Sequence, residues 1–141
     1  MRKLEDRESI AIVLLNLAMV AIARGDGERA RTMLLEVLAI GDEIGSKPVG
    51  QSVFEVSAGL AALREDWTRA ARFYGAAEMQ AAQTGLHRDP GDEAFLAPLV
   101  GRARAALGAQ GFPAAESAGR ALAFDQAIAE ARAWLGAAPA T

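Results

Sequence analysis

The chain has 141 residues, a formal net charge of −3 and no cysteine, and 33 of its positions are alanine. That length suits one domain able to bury a core of its own. The missing cysteines exclude a disulfide framework, a thiolate metal site and a cysteine nucleophile, and the single histidine, His87, excludes any scheme built on a histidine pair. A pI near 5.2 speaks against nucleic-acid binding, which is mostly electrostatic. Alanine is abundant while aromatic residues make up 6%, and that balance favours helix over strand.

In chain order, the first helix is predicted over about Arg7 to Arg24, with Leu14, Leu17, Ala18 and Ala21 on one face. Gly25-Asp26-Gly27 makes a turn, and Asp26 is placed to cap a second helix that runs to about Ile44 with Ala30, Leu34, Val37, Leu38 and Gly41 on one side. Gly45-Ser46-Lys47-Pro48 breaks the pattern. A third helix is predicted over Val49 to Arg64, and a fourth from the N-cap candidate Asp66 to Thr84. After Asp89-Pro90-Gly91-Asp92 a fifth helix runs to Leu107, kinked or restarted at Pro98 and ended by Gly108 and Gly111. A short sixth covers about Pro113 to Arg120 and a seventh about Phe124 to Leu135, with Ala137 to Thr141 expected to fray. The apolar run Ile10 to Ile22 is too short to span a bilayer, and no signal-peptide cleavage site follows it, so the expected location is the cytoplasm.

Shifted by 40 residues, the chain matches itself. Arg24, Asp26, Arg29 and Ala30 fall on Arg64, Asp66, Arg69 and Ala70, and Leu34 falls on Tyr74. The alanine lets two antiparallel helices approach, and the bulky residue one turn later fills the space between successive hairpins. Leu17-Ala18-x-x-Ala21, then Gly25-Asp26, Ala30, Leu34 and Val37-Leu38, resemble the tetratricopeptide repeat (TPR). The second unit, Ala58 to Ala77, departs from that pattern with Glu65 where glycine is usual and Ser57 where leucine is usual. The resemblance implies an all-α fold of antiparallel helical hairpins stacked as a short right-handed solenoid. Residues 1–141 form one domain of about seven helices, with repeat units over about 8–44 and 49–84 and further helices over about 90–135.

A second ordered string runs from Leu60-Ala61-Ala62-Leu63-Arg64 and Asp66-Trp67 through Gly75-Ala76-Ala77-Glu78, Arg102 to Gly108, Phe112 and Gly119-Arg120-Ala121-Leu122 to Ala127-Ile128. Over about residues 50 to 135 it is similar to the C-terminal end of bacterial signal-transduction ATPases and of LuxR-type or SARP-type transcriptional regulators with TPR-like tails. Arginine supplies thirteen of the fifteen basic residues, which with the alanine content fits a GC-rich bacterial genome. Those relatives usually have serine where Ala123 stands, so Gln126 is expected to lack its capping partner.

No catalytic constellation emerges. His87 reads as a solvated loop residue, since Asp89, two positions on, is poorly placed to orient an imidazole and no nucleophile is near. Glu5, Asp6 and Glu8 beside Arg2, Lys3 and Arg7 read as a solvated helix start, and Asp89, Asp92 and Glu93 lack the twelve-residue pattern of a calcium loop. Gly25-Asp26-Gly27 follows a helix and lacks Gly-Lys-Ser/Thr, so it is not a phosphate loop. Arg64, Arg69, Arg72, Arg102 and Arg104 read as a salt-bridged surface interleaved with Glu65, Asp66 and Glu78.

The expected function is therefore non-catalytic and needs no cofactor or metal: a protein- or peptide-binding scaffold related to a bacterial regulator, without direct nucleic-acid or membrane contact. The first helix is apolar on nearly all sides. Ile12, Leu15, Met19 and Ile22 form a stripe expected to face a partner, most simply in a homodimer, while Leu14, Leu17, Ala18 and Ala21 pack inward. Asn16 beside this stripe offers an amide donor and acceptor to a peptide or to an interface. The competing reading is a sensor that holds a small inducer in the helical groove, which would need a pocket of about 300 Å³ or more.

Overall fold

The structure, a computed structural model, describes the backbone of residues 2–137 and the side chains of residues 6–137. The charged side chains at positions 1–5 and the tail expected to fray at 138–141 lie outside the described residues. Six helices follow one another: α1 (Arg2–Ala23), α2 (Gly27–Ile44), α3 (Lys47–Leu63), α4 (Trp67–Thr84), α5 (Pro90–Arg120) and α6 (Phe124–Gly136), with no strand among the described residues. The fold is all-α. Of the seven helices expected, the fifth ends at Gly108 as expected, and the stretch expected as the sixth follows that single non-helical residue (φ 79°), the two together making the kinked α5. Pro98 sits inside α5 without breaking it. The interruption comes at Gly108, where a positive φ is free of steric cost.

The 40-residue repeat is legible in the turns. Asp26 and Asp66 adopt nearly the same backbone conformation, and each accepts a hydrogen bond at Oδ1 from an amide three residues on, Arg29 N (3.2 Å) and Arg69 N (3.3 Å). The far ends match as well, since Gly45 and Gly85 close α2 and α4 in the left-handed conformation. Ser46, passed over as a breaker, is the N-cap of α3 and accepts from Val49 N at 3.2 Å. At α6, Ala123 offers no side-chain acceptor, but Gln126 Oε1 still accepts from Ala123 N at 2.9 Å. Half of the capping box therefore survives although the side-chain partner at Ala123 is missing, as expected.

Each of α1 to α4 packs on the helix that follows it, and α1, α3 and α5 also stack through α3. Thirteen of the seventeen residues of α3 are buried, so it runs through the middle of the fold. Glycines let large groups reach it. A methyl group on Gly50 would collide with the Phe124 ring, and one on Gly59 with the Phe95 ring. The second half of α5 crosses α4 backbone to backbone: a methyl on Gly75 would overlap the Glu116 carbonyl, and one on Gly119 the Arg72 carbonyl.

Helix α6 does not lengthen the stack beyond α5. It turns back onto α2, α3 and α4. Glu130 receives Arg72 through two hydrogen bonds of 2.6 Å and Arg69 at 3.0 Å, while Arg132 pairs with Asp42 on α2. Trp134 meets the Phe73 ring edge-on at 5.5 Å between centroids.

Ala30 and Ala70 are fully buried where the hairpins close. Replacing either by leucine should cost about 1–3 kcal/mol through overpacking, read as a lower melting temperature; variants that melt with the parent would contradict the closure described here. Glu65 adopts φ 61°, the left-handed region, at the position where Gly25 has φ 78°. Left-handed backbone costs a non-glycine residue about 1–2 kcal/mol. Glu65→Gly should therefore stabilise the fold by about 1 kcal/mol in denaturant melts, despite glycine's greater freedom when unfolded.

Candidate functional site

Helix α1 has two faces because it packs on α2 and α3 with one side only. Ala11, Leu15, Ala18, Ala21 and Ile22 are buried in the core. Ile10, Val13, Leu17 and Val20 stand 41%, 55%, 45% and 47% exposed, and they recur at 3-4-3 spacing along one outward face. This corrects the expected assignment of stripes. Leu15 and Ile22, expected to face a partner, are enclosed by the fold, while Leu17, expected inside, points out. The physical reason is helix rotation: the alanines at 11, 18 and 21 let α1 approach its neighbours closely, and Leu15 and Ile22 fill the space between them.

The remaining members of the expected set lie at the edge of a hollow. Ile12, Asn16 and Met19 from α1 line a cavity of about 210 Å³, with Leu15 at its wall, opposite Glu55 on α3 and Asp92 on α5. Ile12 and Asn16 are exposed, Met19 is half-buried, and Ile22 takes no part. The structure therefore brings four of the five residues together, but around a hollow rather than on a free stripe.

Beneath this hollow lies a polar cluster that the sequence reading missed. Gln51 and Glu55, one helical turn apart on the most buried helix, reach the connection between α4 and α5. Gln51 Nε2 donates to the Leu86 carbonyl at 3.0 Å. Arg88 donates to Glu55 Oε2 (3.2 Å), Glu78 Oε1 (2.5 Å) and Glu93 Oε2 (2.7 Å), and its guanidinium lies 5.5 Å from the centre of the Tyr74 ring. One arginine thus ties α3, α4 and α5 together and fixes the loop that carries the exposed His87. The available signal was a glutamine and a glutamate at i, i+4 spacing in an apolar run, which forecasts a buried polar partner from elsewhere.

Burial pushes the Glu55 carboxyl up to about 7, against the nearby Arg88 guanidinium, which favours the charged form. Burial and the neighbouring Asp89 raise Asp92 as well. At Glu130 the hydrogen bonds from Arg72 win over burial, and the carboxyl is held below its usual range.

The surface arginines are dispersed over several partners and form no single patch. Arg64 pairs with Glu28 at 3.2 Å, while Arg69 and Arg72 share Glu130. Arg102 lies over the Trp67 ring and Arg104 over the Phe112 ring. The partners are Glu28 and Glu130, which replace the expected Glu65, Asp66 and Glu78 for these three residues. Further hollows lie elsewhere, among them an open apolar one on the outer side of α1 lined by Ser9, Ile10, Val13 and Leu14. Another of about 240 Å³ lies between α2, α3 and α6 around Val49 and Phe124, and an open polar depression of about 610 Å³ lies between α4 and α6. No helix among the described residues is long and apolar enough to cross a membrane. Comparisons with protein-family models, with curated proteins and with solved structures find no match to this chain.

Glu55 makes a signed prediction. The folded state holds its proton up to about pH 7, whereas an unfolded glutamate releases it near 4.5. Stability from this group is therefore greatest at low pH, falls as pH rises through that interval, and is level above it. Glu55→Gln removes the titration. Denaturant melts should show the parent losing stability relative to this variant between about pH 4.5 and 7; a difference that stays constant across the interval would refute the raised proton affinity.

Proposed function

We propose that the chain is a non-catalytic, TPR-like interaction module that binds a protein or peptide through the outward face of α1. The observation that carries this reading is the row Ile10, Val13, Leu17 and Val20, four large apolar side chains on one face, each 41% exposed or more. Large apolar side chains gathered on one surface mark interaction sites more often than isolated ones do. Polar Asn16 and Ser9 flank the row, as expected for the rim of an interface. The antiparallel hairpins with repeated aspartate caps, and the ordered string over residues 50 to 135, favour an origin in a cytoplasmic bacterial transcriptional regulator or signalling ATPase. The α-helical module would there join proteins and leave DNA contact and catalysis to other domains.

The inducer-sensing alternative lacks a closed site of adequate size. The hollows beside α1 and between α2, α3 and α6 measure about 210 and 240 Å³, below the roughly 300–1,000 Å³ typical of small-molecule sites. The larger depression of about 610 Å³ between α4 and α6 lies open to solvent.

The test is site-specific photocrosslinking in the protein's own cells. A photoreactive side chain at position 13 or 17 should give defined protein adducts, and one at the exposed Thr32 or Glu36 of α2 should give few. Equal yields at all four positions would overturn the reading.

A further inference from the structure

The outward face of α1 is built around a centre of symmetry in the sequence. Its apolar positions are 10, 13, 17 and 20, the a/d spacing of a coiled-coil seam. The same face continues four residues in each direction to Asp6 and Arg24, both exposed. Arg24 extends the helical ladder beyond α1, its amide donating to the Val20 carbonyl at 3.1 Å. About the level of residue 15 these six positions are mirror-placed: 13 with 17, 10 with 20, and 6 with 24.

We infer that the partner of this face is a second copy of the same chain, docked with its α1 antiparallel about a two-fold axis at the level of Leu15. The inference rests on the proposed role of this face and names its occupant. In that arrangement Val13 meets Leu17 of the other copy, and Ile10 meets Val20. Each layer then joins an a position to a d position, as antiparallel pairs require. At both ends Asp6 of one copy lies against Arg24 of the other, so the charges that would frustrate a parallel pair close this one. A parallel pair would set Asp6 against Asp6 and Arg24 against Arg24. The seam from Asp6 to Arg24 is ~27 Å long at helical rise, and two copies of each contact fall along it. Asn16, one step from the axis at the edge of the seam, comes opposite its own counterpart, and an amide can donate to and accept from another amide. Leu15 itself stays inside the fold and contributes nothing to the contact.

Sedimentation equilibrium of the 141-residue chain over micromolar to hundreds of micromolar concentrations tests this directly. A reversible dimer is expected, and Val13→Glu with Leu17→Glu should be monomeric with unchanged circular dichroism, because both residues are solvent-facing. Asp6→Arg and Arg24→Asp should each weaken the dimer, by about fivefold to tenfold for two reversed surface pairs, and the double reversal should restore parental affinity. The orientation has its own readout, since the chain has no native cysteine. Val13→Cys protein should form disulfide dimers with Leu17→Cys protein on mild oxidation, and neither should do so efficiently alone. A chain that stays monomeric throughout overturns the inference, while protein adducts at positions 13 and 17 in cells would still uphold the interaction module. A dimer that crosslinks through 13 alone, or whose double reversal fails to recover, overturns the antiparallel register. A dimer indifferent to the two glutamates overturns the inference and removes α1 as the interface.

Discussion

The burial of α3 is the constraint from which the rest of the structure follows. A helix with thirteen of seventeen residues out of water must be enclosed on every side, and all five other helices do so. Enclosure demands short approach distances, and the glycines at 50 and 59 provide them by admitting the Phe124 and Phe95 rings to the α3 backbone. The same demand explains why α6 folds back. An array that simply lengthened at its end would leave the Phe124 side of α3 in water, and forgoing burial of one large side chain costs roughly 1.5–3 kcal/mol. Two of the buried polar side chains of α3 are met by the α4–α5 connection, where Arg88 and the Leu86 carbonyl satisfy Glu55 and Gln51, while the Ser57 hydroxyl is buried without a hydrogen-bond partner among the described residues.

Helix α1 is enclosed on one side only. Its inward face satisfies α2 and α3, and its composition leaves a second apolar face about half exposed among the described residues. A polar outer face would end the array without further consequence. Ile10, Val13, Leu17 and Val20 instead give this end of the molecule an apolar surface flanked by an acid at one end and a base at the other. The functional reading comes from this asymmetry between an over-enclosed central helix and an under-enclosed first one.

Local chemistry was legible in the sequence wherever it is carried by neighbouring residues. The aspartate caps and the glycine stops act within one turn, and the boundaries of α2 and α4 follow from them. The rotation of α1 was not legible, because a helix apolar on almost all sides has little periodicity to read. Small alanines decided which way it faces, and their effect depends on how closely a neighbour can come. Gly108 was legible as the end of a helix, whereas the kink offered at Pro98 does not break α5. The Arg88 cluster joins residues 33 and 10 positions apart, across turns whose geometry no local pattern specifies. The apolar character of α1 was readable, and which of its faces lies exposed was not.

Thiol reactivity of two neighbouring positions measures that choice of face most directly. Leu15→Cys and Leu17→Cys each place one cysteine in a chain that otherwise has none. Under native conditions at submicromolar concentration, the residue at 17 should react with a maleimide at close to the rate of an exposed thiol. The residue at 15 should react on the order of a hundredfold more slowly, through opening of the fold. Equal rates, or faster reaction at 15, would show that α1 presents a different face and would contradict the interaction surface assigned to it.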